Sequence, residues 1–213
     1  MVKTDYIIRI IEQFAAFLWA IVFNKKIQNY DLALEKIEEA YNGLLHLNAN
    51  ELKKLNANEI IKNNTYKNVL DKDNIEIISN LLFEEADIIE RKNGLNIESF
   101  EYYKKSVELF IVLSNENGTK DFHKNIDETI IKLANYEIDS GIEYEIYKYY
   151  VKRKLYGKAE DTLYQLLEKN YPNTRDEIGM FYKKLLEKDD GDLEKGNLPR
   201  NEIIDGINKL EYI

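Results

Sequence analysis

Asn29-Tyr30-Asp31-Leu32-Ala33-Leu34-Glu35-Lys36-Ile37-Glu38-Glu39-Ala40-Tyr41 is the stretch that decides the fold. Its apolar residues Tyr30, Ala33, Leu34, Ile37, Ala40 and Tyr41 recur at steps of three and four, which lays them on one face of an α-helix. Leu44 and Leu45 continue that face, while the outward positions carry acids and one lysine. This helix cannot bury its stripe alone, so the question is what lies against it.

The segment just before it is the first answer. From about Thr4 to Lys26, Ile7, Ile10, Ile11, Phe14, Phe17, Leu18 and Ile21 form a second helical face. So few residues separate the two helices that they must be antiparallel neighbours, a helical hairpin. Trp19, Phe23 and the alanines widen the face until the second half of the helix is apolar all round. Such a helix needs cover on most sides. Three covers are open: the rest of the chain around a core helix, an identical chain across a seam of Phe14, Phe17, Trp19 and Phe23, or a membrane surface. Lys25 and Lys26 are the only support for the last. The unbroken apolar run Phe14–Phe23 falls short of the ~20 residues of a membrane span, and Glu12 and Arg9 precede it. Asn24-Lys25-Lys26 follows it in place of a small-residue cleavage site. Neither a membrane span nor secretion is expected, and a cytoplasmic location is.

Downstream the same period returns. Leu47-Asn48-Ala49-Asn50-Glu51-Leu52 is echoed by Leu55-Asn56-Ala57-Asn58-Glu59-Ile60. In each copy an asparagine can cap the free N–H groups and a glutamate three residues on can reach back, so two short helical turns are predicted. A longer helix follows from Asp73, with Ile75, Ile78, Leu81, Leu82, Phe83, Ala86 and Ile89 inward, ending at Asn93-Gly94. Its Glu84, Glu85, Asp87 and Glu90 read as a solvated face. Further helices are predicted over 97–114 (Phe100, Tyr103, Val107, Phe110 and Ile111 inward), over 122–140 with Gly141 as its stop, and from Tyr144 to Tyr156. Asn115 to Lys120 reads as a polar turn. Gly157 to Glu168 follows with Ala159, Leu163, Leu166 and Leu167 inward, then Thr174 to Glu187 with Ile178, Phe181, Tyr182, Leu185 and Leu186. Asp189–Glu194 reads as a turn and a short cap, since it fails the spacing of a calcium loop. A last helix opens at Leu198-Pro199-Arg200, with Ile203, Ile204, Ile207 and Leu210 as its stripe.

Composition agrees with an all-α fold. The 213 residues include only 9 glycines and 2 prolines, too few for the turns of a sheet protein. The expectation is nine or so helices in antiparallel hairpins, forming one domain over 1–213. Its sub-units would be 1–70, a hairpin with a helical connector, and 71–213, a helical array.

The chemistry-bearing residues are few. There is no cysteine, which removes disulfides, thiolate metal sites and thiol nucleophiles together. His46 and His123 have no glutamate three residues before them, so the di-iron bundle motif is missing. Gly118-Thr119-Lys120 lacks the earlier glycine and the order of a phosphate-binding loop, and no Gly-x-Ser-x-Gly elbow occurs. No catalytic residue, metal or cofactor is expected. The 39 acidic and 30 basic residues leave a net charge of −9, the wrong sign for a duplex-binding surface. The candidate interaction surface is the tyrosine-rich helix, where Tyr144, Tyr147, Lys148, Lys152 and Arg153 interleave aromatics with bases. Bases beside aromatics suit single-stranded nucleic acid, but Glu143 and Glu145 beside them favour packed tyrosines and a wet protein contact.

The helical pairs resemble tetratricopeptide repeats. Tyr30, Ala33, Ile37 and Ala40 follow the large–small–large–small pattern of that family's second helix. Tyr156, Ala159, Leu163, Leu166 and Pro172 follow it in part, and Ser99, Tyr103 and Ser106 more weakly. The family's first-helix signature of tryptophan, leucine-glycine and tyrosine is absent, and the matches lie ~60–66 residues apart rather than ~34. The resemblance implies a degenerate α-solenoid with a concave face that binds peptides or protein segments. The order of segments along the chain also looks like a family of uncharacterised bacterial proteins. The pieces that carry this are Asp5-Tyr6-Ile7-Ile8-Arg9-Ile10-Ile11-Glu12-Gln13, Gly157–Leu163 and Gly196-Asn197-Leu198-Pro199-Arg200. That likeness implies a helical fold and no known activity.

Three functions follow. The first is a non-enzymatic protein- or peptide-interaction scaffold. The second is a homodimeric structural protein assembled through the first helix. The third is an enzyme with carboxylates and tyrosines in an interhelical pocket, which buried, opposed carboxylates would favour.

Overall fold

A computed structural model describes residues 2–45, 48–116 and 121–210, with side chains from Arg9 onward. His46, Gly118, Thr119 and Lys120, and the side chain of Ile7, lie outside the described residues. The chain is all-α. Among the described residues there are twelve helices and one two-stranded hairpin, in two compact units, 1–137 and 138–213. The boundary falls at 137 rather than at 70, where the sequence placed it.

The first unit holds α1 (Val2–Lys26), α2 (Tyr30–Leu45), α3 (Ala49–Lys54), α4 (Ala57–Asn63), β1 (Thr65–Tyr66), β2 (Val69–Leu70), α5 (Lys72–Asn93), α6 (Ile97–Asn115) and α7 (His123–Leu133). α1 and α2 form the expected hairpin, turning at Gln28, which adopts a left-handed φ of 60°. α2 buries Ala33, Ile37, Ala40, Tyr41, Leu44 and Leu45, the stripe read from the sequence. It packs on α1 and on α5, and this second contact is why no boundary lies near 70. The repeated Leu-Asn-Ala-Asn segments are the two short helices α3 and α4. Asn56 and Glu59 make a complete capping box, whereas Asn48 accepts from the N–H of Asn50. The connector that follows is a short antiparallel hairpin turned by Lys67 and Asn68, both at positive φ.

α5 and α6 form the centre of this unit. Small residues let them approach: Ser79, Ala86, Ser99 and Ser106 are all fully buried, and the Ser106 hydroxyl donates to the carbonyl of Ser79 at 2.9 Å. Around them Ile75, Ile78, Leu81, Leu82, Val107, Leu109 and Phe110 are wholly covered. Each such side chain contributes roughly 1.5–3 kcal/mol relative to exposure.

The helix predicted over 122–140 ends at Leu133. Ala134 is exposed, and the chain turns at Asn135–Tyr136. The next helix, α8 (Ser140–Lys152), then starts from Asp139, whose side chain accepts from the N–H of Ile142. Gly141 therefore lies in the first turn of a helix and does not stop one. Asn-Tyr turns carry no glycine or proline, and Ile138 extended the apolar period past the real end.

The second unit contains α8, α9 (Tyr156–Glu168), α10 (Thr174–Leu186), α11 (Asp190–Lys195) and α12 (Arg200–Leu210). α8 packs on α9, and α10 packs on α9 and α12. Ala159, Leu163, Leu166, Ile178, Phe181, Tyr182 and Ile203 form its core. Leu186 and Ile204, read as inward, are exposed. Gly206 is needed where it stands: a Cβ there would overlap the Tyr182 ring and hydroxyl.

Candidate functional site

α1 carries the most unusual surface. One side of it faces α2 and α5, with Ile21 fully buried and Ile10, Phe14, Phe17 and Leu18 half-buried. Phe17 lies beside Gly43 of α2. The other side is open. Ile11, Trp19, Val22, Phe23 and Ile27 are exposed, Trp19 to 68%. Trp19 and Phe23 stack on each other, centroids 5.2 Å apart and planes 8° from parallel. A shallow cavity of about 510 Å³ between α1 and α2, lined by Gln13, Ala16, Phe17, Ala20, Lys36, Glu39 and Gly43, extends this surface inward. Of the three covers open to α1, its own chain therefore covers only one side. Of the four seam residues proposed from sequence, Trp19 and Phe23 are on the open face, while Phe14 and Phe17 turn toward the hairpin.

Centred on α5, and reached from α1 by Lys25, is a network of buried charge that the sequence reading missed. Glu85 and Asp87 of α5, taken for a solvated face, are 4% and 3% exposed, and Glu84 and Glu90 are half-buried. The reason is that lysines from three other helices reach them. Lys25 of α1 lies 2.5 Å from Glu84 and 2.9 Å from Asp87. Lys53 of α3 lies 2.6 Å from Glu85 and 2.5 Å from Glu38 of α2. Lys132 of α7 lies 2.6 Å from Asp87 and 3.1 Å from Glu90, and Arg91 adds 2.8 Å to Asp87. Tyr103 donates its hydroxyl to Glu90 at 2.6 Å under the Lys132 ammonium.

The electrostatics divide the carboxylates. Burial raises Asp87, but Lys132, Lys25 and Arg91 outweigh it and hold the group well below the usual range, so it stays ionised. Glu85 is paired with Lys53 alone among the described residues. Burial dominates there and pushes it up to about 7, against the pull of Lys53 and with Glu38 and Glu98 repelling. Among the described residues its second oxygen and the hydroxyl of fully buried Tyr41 lack hydrogen-bond partners. Burial also pushes Tyr41 upward, with Glu85 the next cause. The α5 carboxylates and the lysines that reach them are matched chiefly to one another. Among the described residues no group of three or more histidines, aspartates and glutamates is placed to hold a metal ion.

The tyrosine-rich surface is largely dismantled. Tyr147 is 4% exposed and donates to Glu177 at 2.9 Å, so it is removed from the candidate surface. Tyr149 and Tyr150 are buried too. Tyr144, half-buried, lies under the Lys148 ammonium, which pairs with Glu145 at 2.6 Å. Arg153 donates to the Tyr149 hydroxyl, and Lys152 is exposed. Glu143 is buried against Lys169. Acids (Glu143, Glu145) stand toward the start of this helix and bases (Lys148, Lys152, Arg153) toward its end, with Lys148 paired to Glu145.

A further cavity, of about 390 Å³, lies in the second unit among Glu160, Tyr164, Tyr182, Glu202, Asp205, Gly206 and Lys209. Tyr182 donates to Glu160 at 2.5 Å and meets the Tyr164 hydroxyl at 3.2 Å. Burial raises Glu160, and the Tyr182 hydrogen bond partly offsets that. Among the described residues no helix is long and apolar enough to cross a membrane. The chain matches, over residues 1–213, a family model described as a family of unknown function (DUF6483). No curated protein and no solved structure matches it.

Proposed function

We propose that the chain, which belongs to the DUF6483 family, is a non-enzymatic protein-interaction module that docks through the open face of α1. The observation that carries this is the exposure of Ile11, Trp19, Val22 and Phe23 on α1, with Ile27 just past its end and with Trp19 stacked on Phe23. Single exposed apolar residues are ordinary, but a contiguous patch containing a tryptophan and a phenylalanine marks an interaction site. Tryptophan is also among the residues that most often dominate binding energy. The resemblance to tetratricopeptide arrays supports the same class of function, by fold-level analogy. The reading prefers α1 to α8 because the α8 tyrosines Tyr147, Tyr149 and Tyr150 are buried inside the second unit. An enzymatic reading would draw on buried Glu85 and Asp87, but the lysines paired with them favour a structural role. With a net charge of −9 the partner is protein rather than nucleic acid.

The test is differential capture. Wild-type protein and a Trp19→Glu/Phe23→Lys variant are compared as bait in native lysate, with circular dichroism confirming that both are folded. Partners held by the wild type and lost by the variant support the reading. An identical set on both baits rejects it.

A further inference from the structure

The open face of α1 is also complementary to itself. On the helix, Glu12, Trp19 and Lys26 share one line at seven-residue spacing, and all three are exposed. Ala15 and Val22 flank that line on one side, and Ala16 and Phe23 on the other; all four are exposed. Between residues 12 and 26 the face therefore reads small toward Glu12 and large toward Lys26, acidic at one end and basic at the other, with the indole in the middle.

We infer that the occupant of this face is a second copy of the chain, with the two α1 helices antiparallel about a two-fold axis at Trp19. The inference rests on α1 being the docking face and adds who docks there. In that arrangement Trp19 meets Trp19. Ala15 and Ala16 of one copy lie at the height of Val22 and Phe23 of the other, so small faces large on both sides of the axis. Glu12 of each copy reaches Lys26 of the other, giving two ion pairs at the ends. A two-fold contact uses each pairing twice, as isologous symmetry requires. The parallel alternative places Glu12 on Glu12, Lys26 on Lys26 and Phe23 on Phe23, which repels at both ends and crowds one layer. Charge complementarity thus selects both the partner and its direction.

Sedimentation equilibrium on the full chain tests this with charge reversal. Wild type is expected to dimerise at micromolar concentration. Glu12→Lys alone and Lys26→Glu alone each convert two attractions into two repulsions and raise the dimer Kd about tenfold. Mixing the two single variants restores pairing as a heterodimer, because lysines at 12 and 26 of one chain then meet glutamates of the other. The double exchange Glu12→Lys/Lys26→Glu restores the homodimer. A monomeric wild type overturns the inference, as does a dimer whose affinity ignores both reversals. Both substitutions lie on exposed positions, so folding is unaffected. If the wild type is monomeric yet loses captured partners in the Trp19→Glu/Phe23→Lys variant, self-pairing fails while the docking role of α1 stands; if it captures nothing on this face, both fail.

Discussion

The indole of Trp19 lies flat against the ring of Phe23 on the outside of α1, 5.2 Å between centroids. Both rings are exposed, whereas Ile21, between them in sequence, is fully buried. The two sides of one helix therefore carry different tasks, and substitution should separate them. In dilute solution, where association is negligible, Trp19→Ala should change stability by less than about 1 kcal/mol. Ile21→Ala should cost about 2–5 kcal/mol, through lost burial and the cavity left behind. Thermal unfolding followed by circular dichroism distinguishes them, and equal losses would mean that the open face of α1 is misassigned.

Asp87 holds three cations at once. Asp87→Asn keeps its shape and removes its charge, leaving Lys25, Lys132 and Arg91 in competition for Glu84 and Glu90. A loss of about 3 kcal/mol is expected, since breaking a buried pair strands the partner charge. Chemical denaturation measures it; a neutral outcome would show that water already screens the network.

Glu85 gives the pH dependence. Its carboxyl is raised from 4.5 to about 7 in the folded chain, so the folded state binds its proton more tightly than the unfolded state does. The resulting stability is fully present below about pH 4.5 and is lost as pH rises through 7. Asp87 is held low, so its contribution is constant over this window and is lost only in strong acid. Glu85→Gln cannot ionise and should remove the decline, gaining on the wild type by about 1–3 kcal/mol between pH 5 and pH 8. Parallel stability–pH curves for the two proteins would place Glu85 outside this role.

Ala33 and Ala159 are fully buried, one in each unit. Replacing either with leucine inserts a branched side chain into a filled contact and should cost about 1–3 kcal/mol. Unchanged melting temperatures in both variants would contradict the close packing of α2 and of α9.

The helices were legible because each carries its own evidence: the 3.6-residue period of α2 or α5, the capping asparagines Asn48 and Asn56, and Gly94 at the end of α5 with φ 77°. The charge network was not, because its partners are distant. Lys25 lies 59 residues from Glu84, and Lys132 lies 42 from Glu90. A local pattern of acids on α5 looks the same whether it faces water or three lysines from other helices. The seam was half legible for a related reason. Phe14 and Phe17 are as apolar as Trp19 and Phe23, and only the position of α2, with Gly43 beside Phe17, decides which pair turns inward.

Lys25 has a mechanical consequence. Apolar contacts are non-directional, so a helix seated on them alone can roll about its own axis with little resistance. An ammonium clamped between Glu84 at 2.5 Å and Asp87 at 2.9 Å is directional, and it stops that roll. Trp19 lies roughly 9 Å away along the same rigid rod. The compass bearing of the indole is thus set by a charge it never touches, much as a keyway sets the angle of a shaft.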